Sequence, residues 1–535
     1  AGESPRFCVN KASYKVVLVP PMLTLRSSTL NLLTSFSEAG GTVVFFNKRP
    51  DCIDGAPRGE TEILPECRMI ENNDFDELVR TVEPTCRRVS ILDTTTGEEI
   101  PDTLYLLRER EDAFVLFMCN TSHDFRDLDG DTAVRERTRA FSEVCVQGFE
   151  QCHGPPLEFD PDTGEIVRAA AETTGQGWRI RTALPRLASR LFIVPKNEAA
   201  APRFPLQEET GRTVREDTYK GPWPILRSEP NVVVLDKPMF KVDSGMWRGP
   251  EEILQVDHKV REHLGLSTRG GRMVQPWSRE ARHQTSENGA EIELYYEFNA
   301  AELPEGTVWL ALENPERYRI QLNGHRIDPD TDSGWWVDRS LRTLPIDPPQ
   351  LHRGCNTLHL NMRYDPTFAG LESLFLLGDF GVRLSESTPE ITSAPRQLEA
   401  GDWTEQGMPF YAGHVSYNIT AQPNLKSNER CFLYLEHYEG VAVRILVDHE
   451  EAGFIAWPPN ELELTDYFRD RLQPRSIAIQ VLGHRRNSHG PLHLKNTYPR
   501  GVGHGEFEAA PEDWYEGYNL VPCGLQQAPK LIIRE

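Results

Sequence analysis

The spacing of apolar residues changes character along the chain. Near the amino end, short β-branched runs alternate with stretches of helical period. Residues 14–19 (YKVVLV) form an apolar run that stops at Pro20 and Pro21, as a buried parallel strand does. Leu30, Leu33 and Phe36 then recur at helical spacing, with Ser27 and Ser28 placed to cap the helix and Gly40 and Gly41 placed to end it. Residues 42–46 (TVVFF) read as a second buried strand and close a strand, helix, strand unit. A further helix over 74–82 and a strand over 89–92 continue the alternation.

From Leu104 onward the period drops to two. Strands are expected over 104–107, 114–120, 144–149, 178–184 and 191–194, with DPDTGE at 160–165 as a turn, the pattern of a β-sandwich. Residues 197–222 mix Pro, Gly and charge without a long apolar run and read as a linker. One helix follows, PEEILQVDHKVREHLGL, with Glu251 and Glu252 near its amino end, Ile253, Val256, Val260 and Leu264 on one face, and Gly265 as terminator. After Glu291 only strands and loops are expected. The division that results is an α/β domain over 1–98, a sandwich over 99–196, the linker, a sandwich with a helical insertion over 223–388, and a last sandwich over 389–535.

Two stretches of the late β region share one design. YRIQLNG (318–324), WWVD (335–338) and GCNTLHLNMRY (354–364) are matched by VRILVDH (443–449), GFIAWPP (453–459) and then LTDYF and RSIAIQVLG. A period above a hundred residues points to two related sandwiches rather than a solenoid. VDH stands where the first copy has LNG, which leads us to expect an altered tight turn there.

Charge narrows the partners. The 535 residues carry 58 Lys+Arg against 81 Asp+Glu, a net charge of −23 that repels phosphate backbones and anionic lipid. Neither nucleic acid nor membrane is expected as a partner, and no apolar run reaches the ~20 residues that span a bilayer. Hydrophobic residues at 39% and charged residues at 26% supply several cores and exclude a disordered chain. The ten cysteines are scattered without a CxxC pair, which argues for buried free thiols over zinc or redox chemistry. The first residue is alanine, so a processed chain or a piece of a longer one is expected.

Candidate chemistry is sparse. Paired carboxylates would suit glycoside hydrolysis, but no barrel of alternating strands and helices is legible to carry them, and no catalytic residue is nominated. Cys52 in RPDCIDG lacks the small neighbours of a nucleophile elbow. DLDGD (127–131) and DPDTDSG (328–334) resemble calcium loops but miss the glycine and glutamate of the full pattern. They read first as solvated turns, with structural calcium as the alternative; no other cofactor is expected. Residues 471–505 contain no Asp or Glu and carry Arg471, Arg475, Arg485, Arg486, Lys495 and Arg500 with His484, His489, His493 and His504. The mix of planar polar groups suits a sugar, with Arg486, Asn487, His489 and His493 as hydrogen-bonding residues and Trp457 as a stacking platform. A structural loop or an interdomain contact is the plainer reading of the same residues.

A family resemblance joins these segments. YKVVLVPPMLTLRSSTLNLLTSFSEAGGTVVFFNKRPDCIDG resembles the domain that follows the catalytic barrel in α-L-rhamnosidase-like proteins of glycoside hydrolase family 106, and the amidotransferase-like, non-catalytic domain of some β-galactosidases. GDWTEQGMPFYAGHVSYNIT, AGFIAWPPNELELTDYF and VLGHRRNSHGPLH are similar to a galactose-binding-like (family 2 sugar-binding-like) sandwich, and LESLFLLGDFGV (371–382) fits the domain before it. The resemblance implies a multidomain, mainly β chain: an amidotransferase-like α/β domain, then β-sandwich and galactose-binding-like jelly-roll domains. It implies the non-catalytic carboxyl-terminal part of a glycoside hydrolase, with an oligo- or polysaccharide as partner and the catalytic barrel outside this chain. A stand-alone carbohydrate-binding protein and a purely structural assembly are the competing readings. An extracellular or periplasmic location is implied by polysaccharide-degrading relatives, with the cytoplasm and the oligomeric state left open.

Overall fold

The computed structural model describes residues 5–57, 67–101, 103–121, 139–150, 152–161, 164–175, 177–197, 211–269, 289–385, 388–469, 473–499 and 501–535. The protein is multidomain and mainly β. It divides into two units, one of 1–122, 140–184 and 189–207, the other of 123–139, 185–188 and 208–535.

In the first unit, a short antiparallel pair, Phe7–Val9 and Ala12–Tyr14, precedes a parallel three-stranded sheet in the order Val16–Val19, Thr42–Phe46, Arg68–Ile70. Val43, Val44 and Phe45 are buried, as expected of a central strand covered on both faces, and the helix Ser27–Glu38 adds Leu30, Leu33 and Phe36 to their core. The expected serine cap is corrected. Arg26 is the N-cap and makes no side-chain cap bond, while the Ser27 N–H donates to Asp54 Oδ1 at 3.1 Å, so a loop carboxylate supplies the acceptor. The second helix, Phe75–Cys86, is capped by Asp74, whose carboxylate accepts the Glu77 N–H at 2.8 Å.

The sandwich that follows pairs a sheet ordered Thr103–Glu109, Ala113–Asn120, Ser189–Pro195, Leu157–Phe159, Ile166–Arg168 with one ordered Ala171–Thr174, Gly177–Leu184, Phe141–Gly148, Val89–Asp93. Leu116, Met118, Val144, Val146, Ile180 and Phe192 fill the space between them. Val89–Asp93, grouped with the α/β domain on local pattern, pairs with Phe141–Gly148 and so extends this sandwich.

The second unit holds two sandwiches of one topology. In the first, Asn231–Leu235, Leu374–Gly378, Val308–Glu313 and Asp338–Ile346 form one sheet; Met239–Val242, Ala290–Ala300, Gly354–Tyr364, Arg319–Leu322 and His325–Ile327 lie in order in the other. In the second, Thr213–Thr218, Lys530–Arg534, Arg430–Tyr434 and Glu461–Glu463 face a sheet of Trp223–Arg227, His414–Ala421, Arg475–Leu482, Ala442–Val447 and Glu450–Ile455. Numbered along each sandwich, both have strands ordered 1-9-4-7 and 2-3-8-5-6. The first sandwich is inserted between the second and third strands of the other, and the same joint of the first holds the helix Ile253–His263. We call them the inner and the outer sandwich.

Period-two burial explains the strands: Ala290–Ala300 turns Ile292, Leu294, Tyr296 and Phe298 inward and exposes Glu291 and Glu297. Thr213–Thr218 lies in the stretch expected as linker. It forms a strand because Lys530–Arg534 offers it a ladder, and Trp223–Arg227 likewise joins the outer sandwich through His414–Ala421. The altered turn expected at VDH is also corrected. Asn323 and Gly324 (φ 50° and 81°) and Asp448 and His449 (φ 48° and 73°) make the same two-residue turn between Leu322 and His325 and between Val447 and Glu450. All ten cysteines are free thiols.

Candidate functional site

The acid-free segment ties the two sandwiches together. Arg485 forms a two-bond ion pair with Glu229 at 2.8 and 2.5 Å. His489 packs against both Trp336 and Phe375 of the inner sandwich, at ring centroid distances of 5.4 and 5.3 Å, and burial pulls its pKa down with help from the Arg485 charge. His493 is buried; its Nε2 meets Asp236 Oδ2 at 3.0 Å and its Nδ1 faces the Tyr515 and Gly517 carbonyls at 3.1 and 2.8 Å. Burial lowers the His493 pKa, but Asp236 raises it by more, so the net shift is upward. Asn487 has no exposed surface: its amide donates to the Val521 carbonyl at 2.7 Å and accepts the Val521 N–H at 2.8 Å.

These are the geometries of an interdomain contact. Asn487 and His493 spend their polar atoms inside the fold, where no sugar reaches them. Among the described residues the three guanidinium nitrogens of Arg486 have no hydrogen-bond partner, and burial draws its pKa down. Arg475 pairs with Asp448 at 2.6 Å; Arg471, Arg500 and the His504 side chain lie outside the described residues. Trp457 is exposed in the loop after Glu450–Ile455.

A cleft of about 800 Å³ opens between the inner and outer sandwiches, within the range of small-molecule sites. Trp309, Trp335 and Trp336 line its inner-sandwich side, with Thr343 and Asp379; Arg227, Glu229 and Arg396 come from the outer sandwich and its connections. Trp335 and Trp336 form a short edge strand, and its alternation points one ring outward, 54% exposed, and the other inward, 7% exposed. Val337 follows at φ 62°, a costly conformation for a β-branched residue, held by the surrounding loop.

That loop is the second acidic run. Asp332 accepts the Gly334 N–H at 2.9 Å and Arg342 Nε at 2.7 Å, and the Ser333 N–H donates to the Thr343 carbonyl at 2.8 Å. These bonds anchor the tryptophan platform to the strand Asp338–Ile346. Among the described residues no three His, Cys, Asp or Glu side chains gather as metal ligands; DLDGD lies outside them. In the same cleft, Asp379 is shared by two guanidiniums: Arg227 Nη2 bonds to it, and Arg396 Nη2 reaches it at 2.8 Å.

No family model matches this chain, and no curated protein does. Among solved structures, the rhamnosidase from Novosphingobium sp. PP1Y is 12% identical with a TM-score of 0.44, over 100% of this chain and 35% of that one. The β-D-mannosidase from Dictyoglomus thermophilum is 15% identical with a TM-score of 0.20, over 51% of this chain and 32% of that one. The α-L-rhamnosidase from Streptomyces avermitilis, in complex with L-rhamnose, is 10% identical with a TM-score of 0.14, over 60% and 39%. These neighbours are glycoside hydrolases. The chain spans about a third of the length of that rhamnosidase.

Sequence reasoning nominates Trp457 as a stacking platform and does not single out the residues of the cleft. WWVD was legible as part of the repeat, and its paired tryptophans beside an acidic, glycine-bearing turn were the available signal. Its partners Arg227, Asp379 and Arg396 stand far from it in the chain and carry no local mark.

Proposed function

We propose that this chain is a non-catalytic, saccharide-binding part of a carbohydrate-degrading protein of the α-L-rhamnosidase-like kind, with the sugar held in the cleft between the inner and outer sandwiches. One observation carries the reading: an exposed indole, Trp335, lines the same cleft of about 800 Å³ as the polar side chains of Arg227, Asp379 and Arg396. A sugar ring presents an apolar C–H face to an aromatic ring and hydroxyls to planar polar groups, and this cleft offers both. The succession of motifs in the sequence supports the same reading.

The test is titration calorimetry of the whole chain against a panel of oligosaccharides. Trp335→Ala should weaken binding about tenfold, the loss of one aromatic stacking contact and its buried area. Trp457→Ala is the control. Binding that falls with Trp457→Ala and survives Trp335→Ala would return the site to the loop first nominated from sequence.

A further inference from the structure

We infer that the saccharide bound in this cleft carries a negative charge, as a carboxylate or sulfate group on the ring that meets Arg396. The inference rests on the sugar-binding reading of the same cleft and adds the class of sugar. Its basis is the local balance of charge. Arg227 and Arg396 line the cleft and share the single carboxylate of Asp379, through Arg227 Nη2 and through Arg396 Nη2 at 2.8 Å and Nη1 at 3.4 Å. The other acidic residue of the wall, Glu229, is already matched by the two-bond pair with Arg485. Among the described residues one guanidinium charge is therefore left over at the cleft, in a chain whose net charge is −23.

The two arginines are not equivalent. The Arg227 side chain is 9% exposed and held in place, whereas that of Arg396 is 68% exposed. Guanidinium has five donors in a planar fork, and the bonds to Asp379 use only some of those of Arg396. Asp379 fixes the head group in place while the surplus charge faces the cavity. A neutral sugar would leave that charge to water; an anionic one would complete a charge-assisted pair beside the Trp335 platform.

The experiment is calorimetry on the full chain with three probes: tetragalacturonate, its fully methyl-esterified and hence neutral form, and a sulfated galactan tetrasaccharide. The acid should bind at least about fivefold tighter than the ester, and raising salt from about 50 to about 500 mM should erase most of that preference. Arg396→Gln should shrink the acid-to-ester ratio, and Arg396→Lys should restore much of it; the exposed position makes both substitutions compatible with folding. Tight binding of the sulfated probe alone, or of both anions, supports the inference and identifies the group that is read. Equal affinity for acid and ester, or a preference for the ester, overturns it and leaves the saccharide reading standing. No binding of any of the three probes, with a neutral oligosaccharide of the panel still bound, overturns the inference alone; no binding of the probes or of the panel overturns both.

Discussion

Asp257 offers a sharp test of what holds the inner sandwich together. It sits in the helix Ile253–His263 with no exposed surface, and its Oδ2 meets Arg261 Nε at 2.8 Å and Arg269 Nε at 3.1 Å. Its Oδ1 accepts the Tyr364 hydroxyl and the Leu371 N–H, both at 2.8 Å. The two arginine side chains are each 9% exposed. Asp257→Asn keeps the shape and the Oδ1 acceptor but removes the charge that both guanidiniums face. Breaking a buried pair from one side costs about 3–5 kcal/mol. Arg269 keeps Glu372 at 2.5 Å and Arg261 keeps the Ala369 carbonyl at 2.8 Å, so the lower end applies. We expect a loss of about 3 kcal/mol, or about 150-fold in the local opening constant. Asp257→Ala also strands the Tyr364 hydroxyl and the Leu371 N–H and should lose about 1–3 kcal/mol more. Hydrogen exchange at the peptide containing Leu371 reads this locally, which matters because a multidomain chain has no single unfolding free energy. Exchange there that accelerates less than about fivefold in Asp257→Asn would show that the carboxylate charge does not brace this helix.

Other outcomes follow from the same physics. Glu252 is buried at the helix amino end and desolvation pushes its pKa up to about 8, against the hydrogen bonds from Leu254 and Gln255 that lower it. The folded state thus keeps a proton that the unfolded state releases above pH ~4.5, so the contribution is full below that pH and is lost as pH rises towards 8. Glu252→Gln should flatten the fall in thermal midpoint over that window, and a parallel profile in the variant would contradict the assignment. His449 holds φ 73° on an exposed turn, so His449→Gly should stabilise the outer sandwich by about 1 kcal/mol in urea titration; a loss of stability would mean the imidazole makes a contact worth more than the strain. Among the described residues Arg486 buries a guanidinium without a hydrogen-bond partner, so Arg486→Met should raise stability by about 1–3 kcal/mol, and a clear drop in midpoint would contradict an uncompensated charge there.

Much of the local structure is legible in the sequence because its causes are local. The strand at Thr42–Phe46, the helix face of Ile253, Val256 and Val260, and the alternation of Gly354–Tyr364 follow from side-chain periodicity alone. The repeat was readable too, and the structure extends it from a few motifs to a complete strand order. Asp257 and Arg261 show where periodicity fails. Both lie on the buried face of their helix as charged residues, and the partners Tyr364 and Leu371, distant in sequence, together with Arg269 beyond the helix end, explain them.

Sequence by itself determined many of the strands and helices, those whose side-chain period is set by neighbours within a few residues. Tertiary structure alone decided that Thr213–Thr218 is a strand, since its partner Lys530–Arg534 lies some three hundred residues away. It also decided that the acid-free segment serves as a strap. His493 finds Asp236 and Arg485 finds Glu229 only when one sandwich is threaded through a loop of the other. The cleft has the same origin. Trp335, Asp379, Arg227 and Arg396 become neighbours through that insertion, and no local rule of hydrophobic period or turn chemistry encodes a contact between segments that meet only after both sandwiches have folded.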